Sequence, residues 1–248
     1  MSIVTKGFLY KKNKRIKVDH RKTSSVLLNN LQIDLLLNNS QYIKGFLLDA
    51  GCGEKPYSLI YEELTEKNIG CDVEYCIHDQ AAVDVFATLD NLPFPNTVFD
   101  TVLCTNVLEH VAENEKAFSE LSRVLKYNGH MLISVPFLYP AHEAPHDFYR
   151  YSFYGLIHQM KKNGLDIIEA IPWGGIGMMI LVYCNLFLCR FLKVGVINSF
   201  ACALQEGVYT IYRKVCLKRL ISKDIEKTMA KTISIGYFIV AKKRQSSS

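Results

Sequence analysis

Residues 46–53 read Phe-Leu-Leu-Asp-Ala-Gly-Cys-Gly, an apolar run that ends in an acid and two glycines one residue apart. A short run with no polar face is what a strand covered on both sides of a parallel sheet requires. Gly51 and Gly53 permit a tight turn at its end and let a ligand approach main-chain atoms with no Cβ in the way. Pro56 suits the first turn of a following helix, where a missing N–H costs nothing. Loop amides and a helix N-terminus aimed at one space predict a site for an anionic group. A second segment ends at Gly70-Cys71-Asp72, about 20 residues on, and an acid at the tip of a second strand is placed to bind a ribose diol.

The strand–helix alternation continues. Phe99 to Cys104 reads as a strand, and 113–126 as a helix with Phe118, Leu121 and Leu125 on one face, ended by Asn128-Gly129. Met131 to Val135 is a further strand, 152–163 a helix, 166–171 a strand, and Ile235 to Ala241 the last strand. Upstream, Thr23-Ser24-Ser25 can cap a helix on which Leu27, Leu31 and Leu35 recur every fourth residue. A nicotinamide-binding fold would want a third glycine where Pro56 stands, so its pyrophosphate grip is incomplete. With 248 residues, 49% hydrophobic and 21% charged, the chain suits one main α/β domain with additions, not a disordered protein. Its eight cysteines show no Cys-x-x-Cys spacing, so neither a disulfide framework nor a zinc site is expected. No signal-peptide stretch opens the chain, and a reducing cytoplasm is the expected home.

The Asp-x-Gly-x-Gly turn is followed in order by Leu92-Pro93-Phe94-Pro95, Phe99-Asp100 and Leu108-Glu109-His110. On this set the chain resembles the class I S-adenosylmethionine-dependent methyltransferases, in particular the type 11 group, over 45–173 and again at 233–243. The resemblance implies a Rossmann-like α/β fold: a seven-stranded, mostly parallel sheet with helices on both faces. Around this core of 46–173 plus 233–243 stand a basic N-terminal segment and helix (1–45) and an apolar helical insert (174–232) before the last strand. It further implies that Asp49, Gly51 and Gly53 hold the methionine end of S-adenosyl-L-methionine and that Asp72 takes the ribose hydroxyls. Thr105 and Asn106 would face the methionine amino group. Where the family usually carries an acid for the adenine amino group this chain has Thr88, so adenine recognition would rest more on the backbone around Leu89.

Residues 136–151 gather His142, His146, Asp147 and Arg150 with several aromatics on a proline-stiffened loop. Such a loop can present a general base, an apolar wall and an anion clamp. It resembles the histidine loop of methyltransferases associated with bacterial cell-surface polysaccharide synthesis, which implies a saccharide or glycan acceptor. The structural alternative is that a histidine caps the helix from 152 or braces the loop. The prolines at 140 and 145 argue against one helix carrying His142 and His146 as a metal pair, and no metal is assigned. His110 is read as support for the cofactor loop.

The run 176–189 is almost entirely apolar but too short to span a bilayer as a helix, which needs about 20 residues. The insert is expected to pack beside the acceptor side of the cleft, with self-association and contact with the inner membrane surface as the competing roles. Eight Lys or Arg against one acid in residues 1–22 would aid membrane contact, or form a solvated tail. No nucleic-acid module is visible, and a nucleic-acid partner is not expected. The functional expectation is methyl transfer to an oxygen or nitrogen of a small-molecule or saccharide acceptor. A lipid-like acceptor and a non-catalytic cofactor-binding protein are the alternatives.

Overall fold

The computed structural model describes residues 3–5, 8–11, 14–17, 26–75, 80–192, 207 and 233–245. By internal contacts the chain divides into two compact units, residues 1–37 with 172–235 and residues 38–171 with 236–248.

The second unit holds most of the main sheet. Its strands are β4 (Gly45–Ala50), β5 (Thr65–Asp72), β6 (Val85–Phe86), β7 (Phe99–Thr105), β8 (Leu125–Pro136), β9 (Leu165–Trp173, whose last two residues fall in the first unit) and β10 (Gly236–Lys243). The spatial order is β6-β5-β4-β7-β8-β10-β9. Neighbours from β6 to β8 are parallel, and β10 runs antiparallel to β8 with Gly236 opposite Pro136 and Lys242 opposite His130. This is the Rossmann-like sheet expected from the alternation, with the final strand inserted between β8 and β9. Central strands are dry: Leu47, Leu48, Val102, Leu103, Leu132 and Ile133 have no exposed surface.

Helix α3 (Asn114–Val124) buries Ala117, Phe118, Leu121 and Val124, one face at the helical period. It stops two residues short of the expected end at 126, ahead of Asn128-Gly129. The reason is tertiary. Amides of Thr97 and Val98 take the carbonyls of Arg123 and Val124, and Lys243 Nζ donates to the carbonyls of Ser122 and Leu125 at 2.6 and 2.8 Å. With the terminal carbonyls satisfied from outside, Leu125 turns extended and joins β8 opposite Phe99. Helix α4 (Phe153–Lys162) starts where the Ser152 hydroxyl accepts from the Gly155 amide, and it ends at Gly164 in the left-handed region. Pro56 does not open a helix as expected. It lies in a turn ahead of α2 (Ser58–Tyr61), a single turn of helix.

The first unit contains α1 (Val26–Asn38, all but its last residue) and a small antiparallel sheet of β1 (Ile3–Thr5), β2 (Phe8–Lys11) and β3 (Lys14–Lys17). The reading of the basic N-terminus as a tail missed these strands. Leu31 and Leu35 of α1 are buried as expected, while Leu27 and the proposed Thr23-Ser24-Ser25 cap fall outside the described side chains. The excursion before the last strand leaves at Gly174 and returns at Ser234-Ile235. There the Ile235 amide donates to the carbonyls of Trp173 and Gly174, and the Ser234 hydroxyl to that of Trp173. Helix α5 (Ile176–Leu192) buries Met178 and Val182 but exposes Ile176, Ile180 and Tyr183. Among the described residues no helix is long and apolar enough to cross a membrane. The rest of the insert lies outside the described residues, apart from residue 207.

Candidate active site

Every residue nominated from the sequence for cofactor or acceptor lies in the second unit, at or beyond the carboxyl ends of β4, β5, β6, β7 and β8. Here the parallel strands deliver several loops to one edge of the sheet.

The turn after β4 is tight. Gly51 has φ +74°, and a Cβ built there would stand 2.4 Å from Val107 Cγ2. The amides of Gly51 and Cys52 both donate to the Cys71 carbonyl, at 2.8 and 3.0 Å, and the Gly53 amide donates to Asp72 Oδ2 at 2.7 Å. Asp72 Oδ1 accepts from the Val73 amide at 2.7 Å. The anion cradle expected of the loop amides is therefore not formed. Those amides tie β4 to β5, and the helix behind them is only one turn long. An acid at the strand tip survives as expected, and it also organises the glycine loop. Asp49 is buried and accepts from the Tyr61 hydroxyl at 2.9 Å; burial pushes its pKa up to about 6.

After β6 the Ala87 amide donates to the Asp72 carbonyl, which brings Thr88 and Leu89 beside the end of β5. Thr88 is exposed and Leu89 buried. The following Leu92-Pro93-Phe94 segment is clamped to α3. Glu120 accepts from the Leu92 amide at 2.9 Å, and the Arg123 guanidinium donates to the carbonyls of Leu92 and Phe94 at 3.0 and 2.8 Å. Thr105 ends β7 half-buried, and Asn106 follows at φ +54° with its amide on the Ser134 carbonyl. Asn106 Oδ1 is buried and has no hydrogen-bond partner among the described residues. A left-handed asparagine with an orphaned carbonyl oxygen beside the glycine turn is the arrangement a ligand donor would complete.

Segment 106–110 continues from that turn to the histidine loop. The main chain of Glu109 accepts from the amides of Phe148 and Tyr149 at 2.8 and 3.1 Å, and the hydroxyls of Tyr149 and Tyr151 donate to the carbonyls of Ala112 and Leu108. The loop is thus laced to the 3₁₀ turn Leu108–His110. Arg150 forks Asp147 with contacts of 2.5 and 2.7 Å and donates to the carbonyls of Tyr139, Pro140 and Tyr149. Burial works against ionisation of Asp147, but the guanidinium and the His142 amide outweigh it and hold its pKa down at about 2. The expected anion clamp is consequently engaged inside the loop, where an acceptor anion would have to compete with Asp147.

The two loop histidines differ. His146 is exposed, its ring tilted against Tyr75 and edge-on to Phe148, while its carbonyl lies 2.6 Å from His110 Nδ1. His142 turns inward, with Nε2 4.0 Å from Glu109 Oε1, and burial followed by the nearby His110 lowers its pKa. His110 Nε2 lies 3.7 Å from the same oxygen. Glu109 has no exposed surface, and burial pushes its pKa up to about 8. Although no metal was assigned from the sequence, ligand atoms of Glu109, His110 and His142 all lie within 4.8 Å of one another. Glu109 was missed as a site residue. Its one signal was an acid set between Leu108 and His110 in an otherwise apolar turn.

Comparison with known proteins bears on the domain and its fold. Residues 48–133 match the family model of the methyltransferase domain. The chain is 34% identical over 112 residues to an uncharacterised protein of Methanocaldococcus jannaschii, covering 42% of this chain and 47% of that protein. It is 34% identical over 105 residues to the ubiquinone/menaquinone biosynthesis C-methyltransferase UbiE of Salmonella paratyphi B, covering 40% of this chain and 38% of that enzyme. The chain thus spans less than half the length of these relatives. In structure it is similar to an S-adenosylmethionine-dependent methyltransferase from Archaeoglobus fulgidus (TM-score 0.54, 15% identity, 87% of this chain and 94% of that one). It is also similar to the [4+2]-cyclase SpnF (TM-score 0.56, 18% identity, 92% and 86%). A third likeness is to phosphoethanolamine N-methyltransferase 2 of Haemonchus contortus, solved with S-adenosylmethionine (TM-score 0.53, 15% identity, 96% and 62%). Residues 48–133 thus match a methyltransferase domain and lie in a Rossmann-like sheet of the kind those solved structures share.

Proposed function

We propose that this protein transfers a methyl group from S-adenosyl-L-methionine to an oxygen or nitrogen of a small-molecule or saccharide acceptor. The observation that carries the reading is Asp72 at the end of β5, its carboxylate fixed by the Gly53 and Val73 amides beside the glycine turn. A carboxylate held this way keeps lone pairs for a ribose diol. The orphaned Oδ1 of Asn106 suits an ammonium donor such as the methionine amino group. The internal use of the loop amides suits a cofactor without phosphates. When bound, S-adenosylmethionine supplies a methyl carbon that an acceptor lone pair can take while the carbon–sulfur electron pair returns to sulfur.

The chain's own residues would align the two partners and exclude water, which alone can supply effective molarities of about 10⁵ M or more. A hydroxyl acceptor must also lose a proton, and Glu109, His110 and His142 form a polar cluster where the histidine loop meets the Leu108–His110 turn. A saccharide acceptor is favoured by the resemblance of residues 136–151 to the loop of polysaccharide-associated methyltransferases. The curated and solved relatives are named for different reactions and do not select an acceptor.

Titration calorimetry with S-adenosylmethionine and S-adenosylhomocysteine tests the proposal. Both should bind, and Asp72→Asn should weaken both by roughly tenfold to a hundredfold, the usual worth of hydrogen bonds to a charged group. No binding by the unaltered protein would remove the methyltransferase reading.

A further inference from the structure

Glu109 poses a problem that the cofactor site does not answer. Its carboxylate is fully buried, and neither oxygen has a hydrogen-bond partner outside its own residue among the described side chains. Its main-chain carbonyl is doubly satisfied by Phe148 and Tyr149, so the segment is well anchored while the side chain is left over. Buried carboxylates are ordinarily paired, hydrogen-bonded or bound to a metal.

The atoms facing Glu109 are ligand atoms. His110 Nε2 stands 3.7 Å and His142 Nε2 4.0 Å from Oε1. A cation bound at about 2.0–2.2 Å to each donor in a tetrahedral arrangement holds them about 3.4 Å apart, so both imidazoles must draw in from their present separations, all within 4.8 Å, to complete the geometry. The His110 ring is already turned for it. The carbonyl of His146 takes the N–H at Nδ1 of His110, which leaves the lone pair on Nε2. Nδ1 of His142 faces the Pro140 carbonyl at 3.3 Å and Asp147 Oδ2 at 3.5 Å, with Arg150 Nη2 at 3.4 Å. The Arg150–Asp147 fork, which resists use as a substrate clamp, suits another purpose, since it fixes the carboxylate behind a ligand. The imidazoles are partly exposed, so the cluster opens to solvent through them.

We propose that Glu109, His110 and His142 form a binding site for a divalent transition-metal cation, such as Zn²⁺ or Mn²⁺, with coordination positions left for the methyl acceptor. Two imidazoles and one carboxylate suit these ions better than Mg²⁺ or Ca²⁺, which prefer oxygen. Three protein ligands leave a position for water or substrate. The cation's role rests on the methyltransferase reading: an acceptor hydroxyl bound there gives up its proton to solvent more readily and presents its oxygen lone pair to the methyl carbon. The existence of the site does not rest on it.

The test uses the untagged full chain, stripped with a chelator and titrated by calorimetry with ZnCl₂ and MnCl₂, with Co²⁺ absorption as a report on coordination. Saturable one-to-one binding is expected for the unaltered protein. Glu109→Gln, which preserves shape and folding better than truncation, should weaken it at least about tenfold, as should His142→Ala. His158→Ala, a surface imidazole on α4, should not change it. Circular dichroism confirms that each variant is folded. Absence of saturable binding by the unaltered protein, or equal binding by folded Glu109→Gln, overturns the site. Calorimetry with S-adenosylmethionine on the same samples separates the two readings. Cofactor binding without cation binding sinks only this inference. Cation binding without cofactor binding sinks the methyltransferase reading and leaves the site standing.

Discussion

Replacing Gly51 with alanine isolates what the glycine turn requires of its residue. Two costs apply and come from different places. At φ +74° an L-residue pays about 1–2 kcal/mol for the left-handed conformation. The new Cβ would also meet Val107 Cγ2 and Cγ1 at 2.4 and 2.5 Å, and forcing such overlap into a packed region costs roughly 1–3 kcal/mol. The sum, roughly 2–5 kcal/mol, corresponds to a fall in Tm of roughly 4–20 °C for a chain of this size. Thermal and urea unfolding of Gly51→Ala, Val107→Ala and the double variant would separate the two contributions. Val107→Ala alone should lose about 1 kcal/mol for its methyl groups. The double variant should be more stable than the sum of the singles by about the overlap cost, and it should retain the left-handed penalty. Additivity within about 0.5 kcal/mol would refute the contact with Val107. A Gly51→Ala protein as stable as the parent would refute both parts of the reasoning.

Three further outcomes follow from the site. Because Asp49 binds its proton more tightly folded (pKa about 6) than unfolded (3.8), its contribution to stability falls as pH rises through that window, by roughly 3 kcal/mol at most. Asp49→Asn should accordingly gain on the parent protein between about pH 4 and pH 7 in urea unfolding, and an unchanged difference across that range would contradict the shift. Arg123→Ala releases the carbonyls of Leu92 and Phe94 and should cost about 1–3 kcal/mol while weakening S-adenosylmethionine binding through the Leu-Pro-Phe segment; calorimetry showing unaltered affinity would detach that segment from the cofactor. Arg150→Lys keeps the charge but loses the planar fork on Asp147, so amides of 140–150 should exchange hydrogen faster with little change at β4 and β5; uniform protection would count against the bracing role.

The alternation of elements was legible because it depends on local pattern: dry strands at 47–48 and 102–103, and a one-sided helix through Phe118 and Leu121. The turn at Gly51 and the acid at Asp72 were legible because each sits at a strand end, where main-chain geometry follows from chain order. What sequence could not determine was partnership. The end of α3 was set by amides of Thr97 and Val98 arriving from elsewhere, not by the Asn-Gly pair downstream. The loop amides read as an anion cradle were taken by Cys71 and Asp72 of the neighbouring strand. The N-terminal strands were hidden by the basic residues around and within them, since pairing uses main-chain groups that composition does not show. His142 and His146 have the same side chain on the same loop, yet one ring faces buried Glu109 and the other faces Tyr75 and Phe148. Local propensity and spacing were therefore properties of the sequence. Which polar groups are buried, and what they meet there, was decided only when segments distant in the chain closed on one another, because desolvation acts on the assembled surroundings of a group and not on its neighbours in the chain.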